Sequence, residues 1–229
     1  MSTEIPPPGH DPEASAKLQI LATEHSSLLA TRSLTYTESL GRVNMFLAIL
    51  SGAVIALALV AQADHFGPTF ISVAIFMLCV VVFVGVATVS RLMTLNRDDY
   101  RWVVGMNRLR NAYLELHPEL APHFVTSPYD DFIGAIQTMG IETRIGRAGL
   151  GSAFHGMQTL PGMLSVIVAA VIGAIGALVG FAAGAPLYGV LIAGAAAFVV
   201  AVVLMGFWGS RNVRRFSPSL APRFPSPKN

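Results

Sequence analysis

Four stretches of this chain are apolar without a single charged side chain: Met45–Ala63, Thr69–Ser90, Gly162–Ala182 and Leu187–Trp208 hold no Asp, Glu, Lys, Arg or His. A helix rises about 1.5 Å per residue, so ~20 such residues cover the ~30 Å hydrocarbon core of a bilayer. Each stretch predicts a transmembrane helix. The short links Gln62–Pro68 and Ala183–Pro186 pair them into two hairpins.

The polar segments between the stretches are patterned too. Glu13–Val43 contains no Pro, and Leu18, Leu21, Leu28 and Leu29 recur near a helical period. A long helical lead-in to the first span follows. Beyond the second span Trp102, Met106, Leu109, Tyr113 and Leu116 step by four, three, four and three residues, which predicts a continuing helix with one apolar seam. By that phase Leu109 faces the seam and Arg108 a neighbouring face, where its replacement by Ala is expected to be close to neutral. His117-Pro118 stops this helix, because a residue before Pro is pushed out of the helical region. The seam packs within the subunit or joins copies; the pattern allows both.

From Pro118 onward the periodicity fades into a turn-rich loop. Asp130 or Asp131 is placed to cap a short helix Phe132–Met139. The boundaries read as a disordered tail over 1–12, a cytoplasmic helix over 13–44, a first membrane hairpin over 45–90, and a cytoplasmic helical and loop region over 91–160. A second hairpin over 161–208 and a disordered tail over 209–229 complete the chain. The class is all-α, a polytopic membrane protein with cytoplasmic helical extensions.

Charge decides the threading. The chain has 15 Lys and Arg residues, and the two hairpin links hold none of them. Cations concentrate on the cytoplasmic side of polytopic proteins, so both termini and the central segment belong there. Arg42, Arg91, Arg211, Arg214 and Arg215 stand at the span ends as orienting cations. The predominance of Arg over Lys suggests a bacterial-type genome and hence the cell inner membrane. Met1 to Pro8 shows no basic region or early apolar run, so the first span is expected to serve as its own insertion signal.

Small residues mark packing faces. Gly176, Gly180 and Gly184 recur every four residues in the third span, as do Ala193, Ala197 and Ala201 in the fourth; Gly52 and Ala56 share that spacing in the first. Such strips let helix backbones approach in lipid, where expulsion of water no longer drives association. They serve contact within the subunit or between subunits.

Chemistry is harder to find. His117, His123 and His155, with Asp130 and Asp131, have neither the spacing of a helical zinc pair nor that of a finger. There is no nucleophile elbow, no phosphate-binding loop and no intramembrane carboxylate pair. The expectation is a non-enzymatic protein with no catalytic residues, metal or cofactor. Asp98, Asp99 and Glu115 dilute the Arg-rich segment Arg91–Arg110, so nucleic acid is not expected as a partner. The expected partners are the bilayer, a further copy of the chain, and anionic lipid headgroups at Arg91, Arg211, Arg214 and Arg215.

The stretch Glu24–Asn44, leading as a cytoplasmic helix into a membrane hairpin and a helix that returns inward, resembles the SLATT class of bacterial membrane proteins. The resemblance covers the first half of the chain. It implies membrane residence and, because some members of that class are proposed to form pores, an oligomeric pore as the alternative to a role in association. A transporter ranks below both.

Overall fold

The computed structural model describes residues 12–140, 159–214 and 221–227. All regular structure among them is helical: α1 (Pro12–Asp64), α2 (Pro68–Leu116), a 3-10 turn (Pro118–His123), α3 (Phe132–Thr138), α4 (Leu160–Ala182) and α5 (Leu187–Arg214). Four of these, α1, α2, α4 and α5, are long and apolar enough to cross a membrane. The lead-in to the first span and the extension of the second are continuous with their spans, and α2 stops at Leu116 as the His117-Pro118 step requires.

Two compact units share these helices. One consists of Met1–Thr35, Arg97–Ile145 and Ser217–Asn229, the other of Tyr36–Asn96 and Gly146–Phe216.

The second unit contains the apolar stretches. Phe46 of α1, Val81, Val89 and Leu92 of α2, and Leu164 and Val168 of α4 form its buried centre. Gly85 makes that centre possible, since a Cβ there would lie 2.5 Å from Val168 Cγ2 and 2.9 Å from Phe46 Cε2. Large apolar side chains point outward instead, among them Phe76, Phe83, Leu187, Leu191 and Leu204.

The α4 and α5 strips meet each other. A Cβ on Gly176 would stand 2.7 Å from Ala197 Cβ and 3.0 Å from the Ala193 carbonyl, and one on Gly180 would stand 3.3 Å from Ala193 Cβ. Gly173 and Gly194, which the four-residue spacing did not single out, extend this contact: a Cβ on either would lie 3.1 Å from the carbonyl oxygen of the other. Ala201 is buried. Gly184 is not part of the strip. It follows the end of α4 at φ +74°, where only Gly sits without strain, and the space around it is open. Gly52 also faces open space, with Ala56 half-buried; the inward residue on that part of α1 is Ala53. The equal spacing of small residues does not reveal which side of α1 the neighbouring helices cover.

Charge gathers in this unit just before the apolar stretch of α1 and just after that of α2. Glu38 accepts from Arg42 Nε at 2.8 Å and from Arg91 Nε and Nη2 at 3.0 and 3.1 Å. The Arg91 guanidinium, then Arg42, holds the Glu38 carboxyl below its ordinary value.

In the first unit, Leu18, Leu21, His25, Leu28, Arg32 and Thr35 make the half-buried side of α1, alternating steps of three and four. They meet α2. His25 stacks on Tyr113 with ring centroids 6.0 Å apart, Leu28 lies 3.2 Å from where a Gly105 Cβ would be, and Arg32 grips Asp99 at 2.6 and 3.3 Å. On another side of α2, Val103 and Val104 pack with Ala135 of α3.

The expected apolar seam on α2 is therefore displaced. Met106 is buried, but Trp102, Leu109, Tyr113 and Leu116 are only half-buried. The deepest positions are Val103, Val104 and the polar Asn107, with Arg110 close behind. Because α2 is flanked by α1 and α3 in this unit, burial spreads around the helix instead of following one stripe.

Candidate functional site

Asn107 organises the interior of the first unit. Its Nδ2 donates to the Tyr129 carbonyl at 2.7 Å, and its Oδ1 accepts from Arg110 Nη1 at 2.7 Å and Thr138 Oγ1 at 2.9 Å. One fully buried amide thus ties α2, the loop before α3, and α3 itself. A buried polar side chain is stable only when so satisfied. Burial, then the charge of Arg32, lowers the pKa of Arg110.

The Tyr129 carbonyl is held from a second side. A Cβ on Gly134 would collide with that oxygen, so only Gly lets the first turn of α3 come this close. Of the two candidate caps, Asp131 is the one that caps α3, its Oδ1 accepting from Gly134 N at 2.8 Å.

The two adjacent carboxylates form a shelf, and the segment 221–227 lies along it, bending at Arg223 and Phe224. Asp130 Oδ2 accepts from Arg108 Nε at 2.7 Å and from Arg223 N at 2.9 Å, while its Oδ1 accepts from Phe224 N at 2.8 Å. Asp130 N donates back to the Phe224 carbonyl at 3.2 Å. Asp131 Oδ2 accepts from Ser226 N at 3.0 Å and from the Ser226 hydroxyl. Arg108 Nη2 reaches the Ala221 carbonyl at 3.2 Å.

The sequence Ala221-Pro-Arg-Phe-Pro-Ser-Pro227 suits this shelf in a specific way. Pro222, Pro225 and Pro227 have no N–H to donate. The residues between them do, and the N–H groups of Arg223, Phe224 and Ser226 all end on a carboxylate oxygen. Sliding the segment by one residue would set a Pro against an acceptor that needs a donor, so the register is locked. The fixed φ of Pro also reduces the entropy lost when the segment is held.

Burial alone would raise the Asp130 pKa. The N–H groups of Arg223 and Phe224, with the Arg108 guanidinium, more than reverse this and hold the carboxyl below its ordinary value. Asp131 is likewise lowered: the Ser226 hydroxyl and the N–H groups of Gly134 and Ser226 outweigh burial and the neighbouring Asp130 charge. Both are carboxylates at neutral pH.

No family model matches this chain, and comparison with curated proteins and with solved structures finds no match.

The expectation of a disordered tail over 209–229 is thus corrected in two places: α5 continues to Arg214, and 221–227 is held on the shelf. Arg108, whose replacement by Ala was expected to be close to neutral, binds both Asp130 and the segment. Of the loop histidines, His117 Nδ1 lies 2.9 Å from Glu119 Oε1, and His155 lies outside the described residues. Among the described residues no three His, Cys, Asp or Glu side chains are grouped to hold a metal ion.

The orienting cations are divided in the same way. Arg42 and Arg91 share Glu38, and the Arg211 guanidinium lies 4.3 Å over the Phe207 ring. The Arg214 side chain and Arg215 lie outside the described residues. Sequence reasoning missed Asn107, Arg108 and the 221–227 segment. The one local signal was the spacing of prolines in the tail, which reads equally well as disorder.

Proposed function

We propose that this chain is a non-enzymatic inner-membrane protein with four spans in two hairpins and both termini in the cytoplasm, acting through association with itself or with a membrane partner. Membrane residence is supported by the charge-free apolar stretches and the outward-facing large side chains of the second unit. The threading is supported by the absence of Lys and Arg from the two links. The association reading draws on the first unit, where Asp130, Asp131 and Arg108 together hold a short proline-rich peptide, the chain's own residues 221–227.

Reporter fusions at residues 10, 120 and 229 should give a cytoplasmic signal, and fusions at 65 and 185 the opposite one. In mild detergent the purified protein should sedimentate as more than one subunit or carry a partner with it, without conductance in a planar bilayer. A periplasmic signal at 120 would overturn the threading. Stepwise conductance would replace association with the pore reading.

A further inference from the structure

Apart from the clasp that Asp130, Asp131 and Arg108 make on residues 221–227, the first unit buries charge where α1 meets α2. Asp99, Met106, Arg110 and Tyr113 follow steps of seven, four and three along α2 and so share one of its faces. From α1, Arg32 grips Asp99 and His25 stacks on Tyr113. The charges at this contact do not balance. Arg32 takes both oxygens of Asp99, at 2.6 and 3.3 Å, so that carboxylate is already spent. Arg110 is only 7% exposed, and no carboxylate among the described residues pairs with it. Its hydrogen-bond partner is the neutral Asn107, reached through Nη1 at 2.7 Å.

We infer that Arg110 binds a small oxyanion, a carboxylate or phosphate group, through the Nε–Nη2 edge of its guanidinium at the contact between α1 and α2. A guanidinium carries its N–H donors in a rigid plane, and Nη1 spends one of them on Asn107. The Nε and Nη2 donors lie parallel along one edge, the spacing that two oxygens of an oxyanion match. Neither meets an acceptor among the described residues. Taking a guanidinium out of water without a counter-charge is costly, and a second cation nearby adds to the cost. Both conditions hold here: burial and then the Arg32 charge lower the Arg110 pKa, and the Arg110 charge in turn lowers that of His25. A bound oxyanion neutralises Arg110 and relieves both repulsions. Asn107 gives the free edge a fixed direction. Its Oδ1 also accepts from Thr138 and its Nδ2 donates to the Tyr129 carbonyl, so the amide that holds Nη1 is itself held from two sides. A fork aimed in advance loses little freedom on binding.

Full-length protein in detergent tests this with three probes at constant ionic strength: inorganic phosphate, acetate, and phosphatidic acid doped into the micelle. Phenylglyoxal modifies arginine, and mass spectrometry reads its rate at each arginine of the folded wild type. At least one probe should slow modification of Arg110 at least five-fold, saturably, and leave the exposed Arg101 unchanged. Protection by phosphate or acetate identifies a free anion. Protection by phosphatidic acid alone identifies a lipid headgroup held by the same fork. Calorimetric titration of the protecting probe should then show at least ten-fold weaker binding to Arg110→Gln and to Arg110→Lys, which keeps the charge without the fork. Arg101→Ala should bind within two-fold of wild type. Modification of Arg110 that no probe slows would overturn the inference, as would Arg110→Lys and Arg110→Gln proteins that bind as tightly as wild type. Because protection is read on the wild type, a variant that fails to fold leaves the outcome decided.

Discussion

Asp130 and Phe224 hold each other from both sides: Phe224 N donates to the Asp130 carboxylate at 2.8 Å, and Asp130 N donates to the Phe224 carbonyl at 3.2 Å. They stand ninety-four positions apart in the chain, and one of the two bonds is received by a side chain, the other by the backbone. The rest of the first unit is arranged so that this pair can form.

Arg108 is the first test of that arrangement. Arg108→Ala removes one partner of a buried carboxylate and the donor to Ala221, so a loss of about 1–3 kcal/mol in stability of the first unit is expected. Arg101, whose nearest carboxylate oxygen on Asp98 is 3.7 Å away on an exposed surface, should be replaceable by Ala at a cost under about 0.5 kcal/mol. Chemical unfolding followed by Trp102 fluorescence would rank the two. Equal effects would mean that the clasp contributes nothing to stability.

Acid should open the clasp. Asp130 and Asp131 both have folded pKa values below the ordinary ones, so the unfolded chain takes up protons first as pH falls. Their contribution is complete above the unfolded value of about 3.9 and is lost as pH falls through the folded values. A spin label at Pro227→Cys, in a Cys79→Ser background, should stay immobile from neutral pH to about 5 and become mobile below about 4. Release on raising the pH would contradict the carboxylate origin of the hold.

His25 gives a second, separate pH effect. Burial, then the Arg110 charge, lowers its pKa, so the fold favours the neutral ring. The stability from that preference is present above the unfolded value of about 6.5 and is lost as pH falls through the folded value. His25→Phe retains a ring against Tyr113 and should flatten the stability profile between about pH 7 and 5. An unchanged slope in that window would assign the sensitivity elsewhere.

The contact of α4 with α5 predicts an order among glycines. Gly176→Ala drives a methyl into Ala197 and the Ala193 carbonyl and should cost about 1–3 kcal/mol. Gly180→Ala meets a neighbour at 3.3 Å and should cost less, while Gly52→Ala, in open space, should be neutral. Gly180→Cys with Ala193→Cys, again in Cys79→Ser, should crosslink within one chain. Thermal unfolding in detergent reads the order. A strip that faces lipid would instead leave Gly176→Ala as stable as Gly52→Ala.

What could be read from the chain beforehand was local. The four long helices, the stop at His117-Pro118 and a cap at Asp131 follow from residues close together in the sequence, and all three are found, although α5 runs on past Trp208 to Arg214. What escaped depends on distant partners. Asn107 and Arg110 look like exposed polar positions until α1 and α3 cover α2 on different sides. Gly85 and Gly52 are equivalent in the sequence, yet only Gly85 has Phe46 and Val168 against it. The shelf escaped for the same reason, because nothing near Asp130 announces a donor at Phe224.

The order of the chain gives the clasp a further consequence, during synthesis. Residues 221–227 are translated after α4 and α5, so a nascent first unit has Asp130 and Asp131 in place with only Arg108 and Gly134 to satisfy them. Its acidic corner becomes fully satisfied only once the second pair of apolar helices has been made. A chain halted before Ala221 would lack the donors of Arg223, Phe224 and Ser226 and keep that corner incompletely paired.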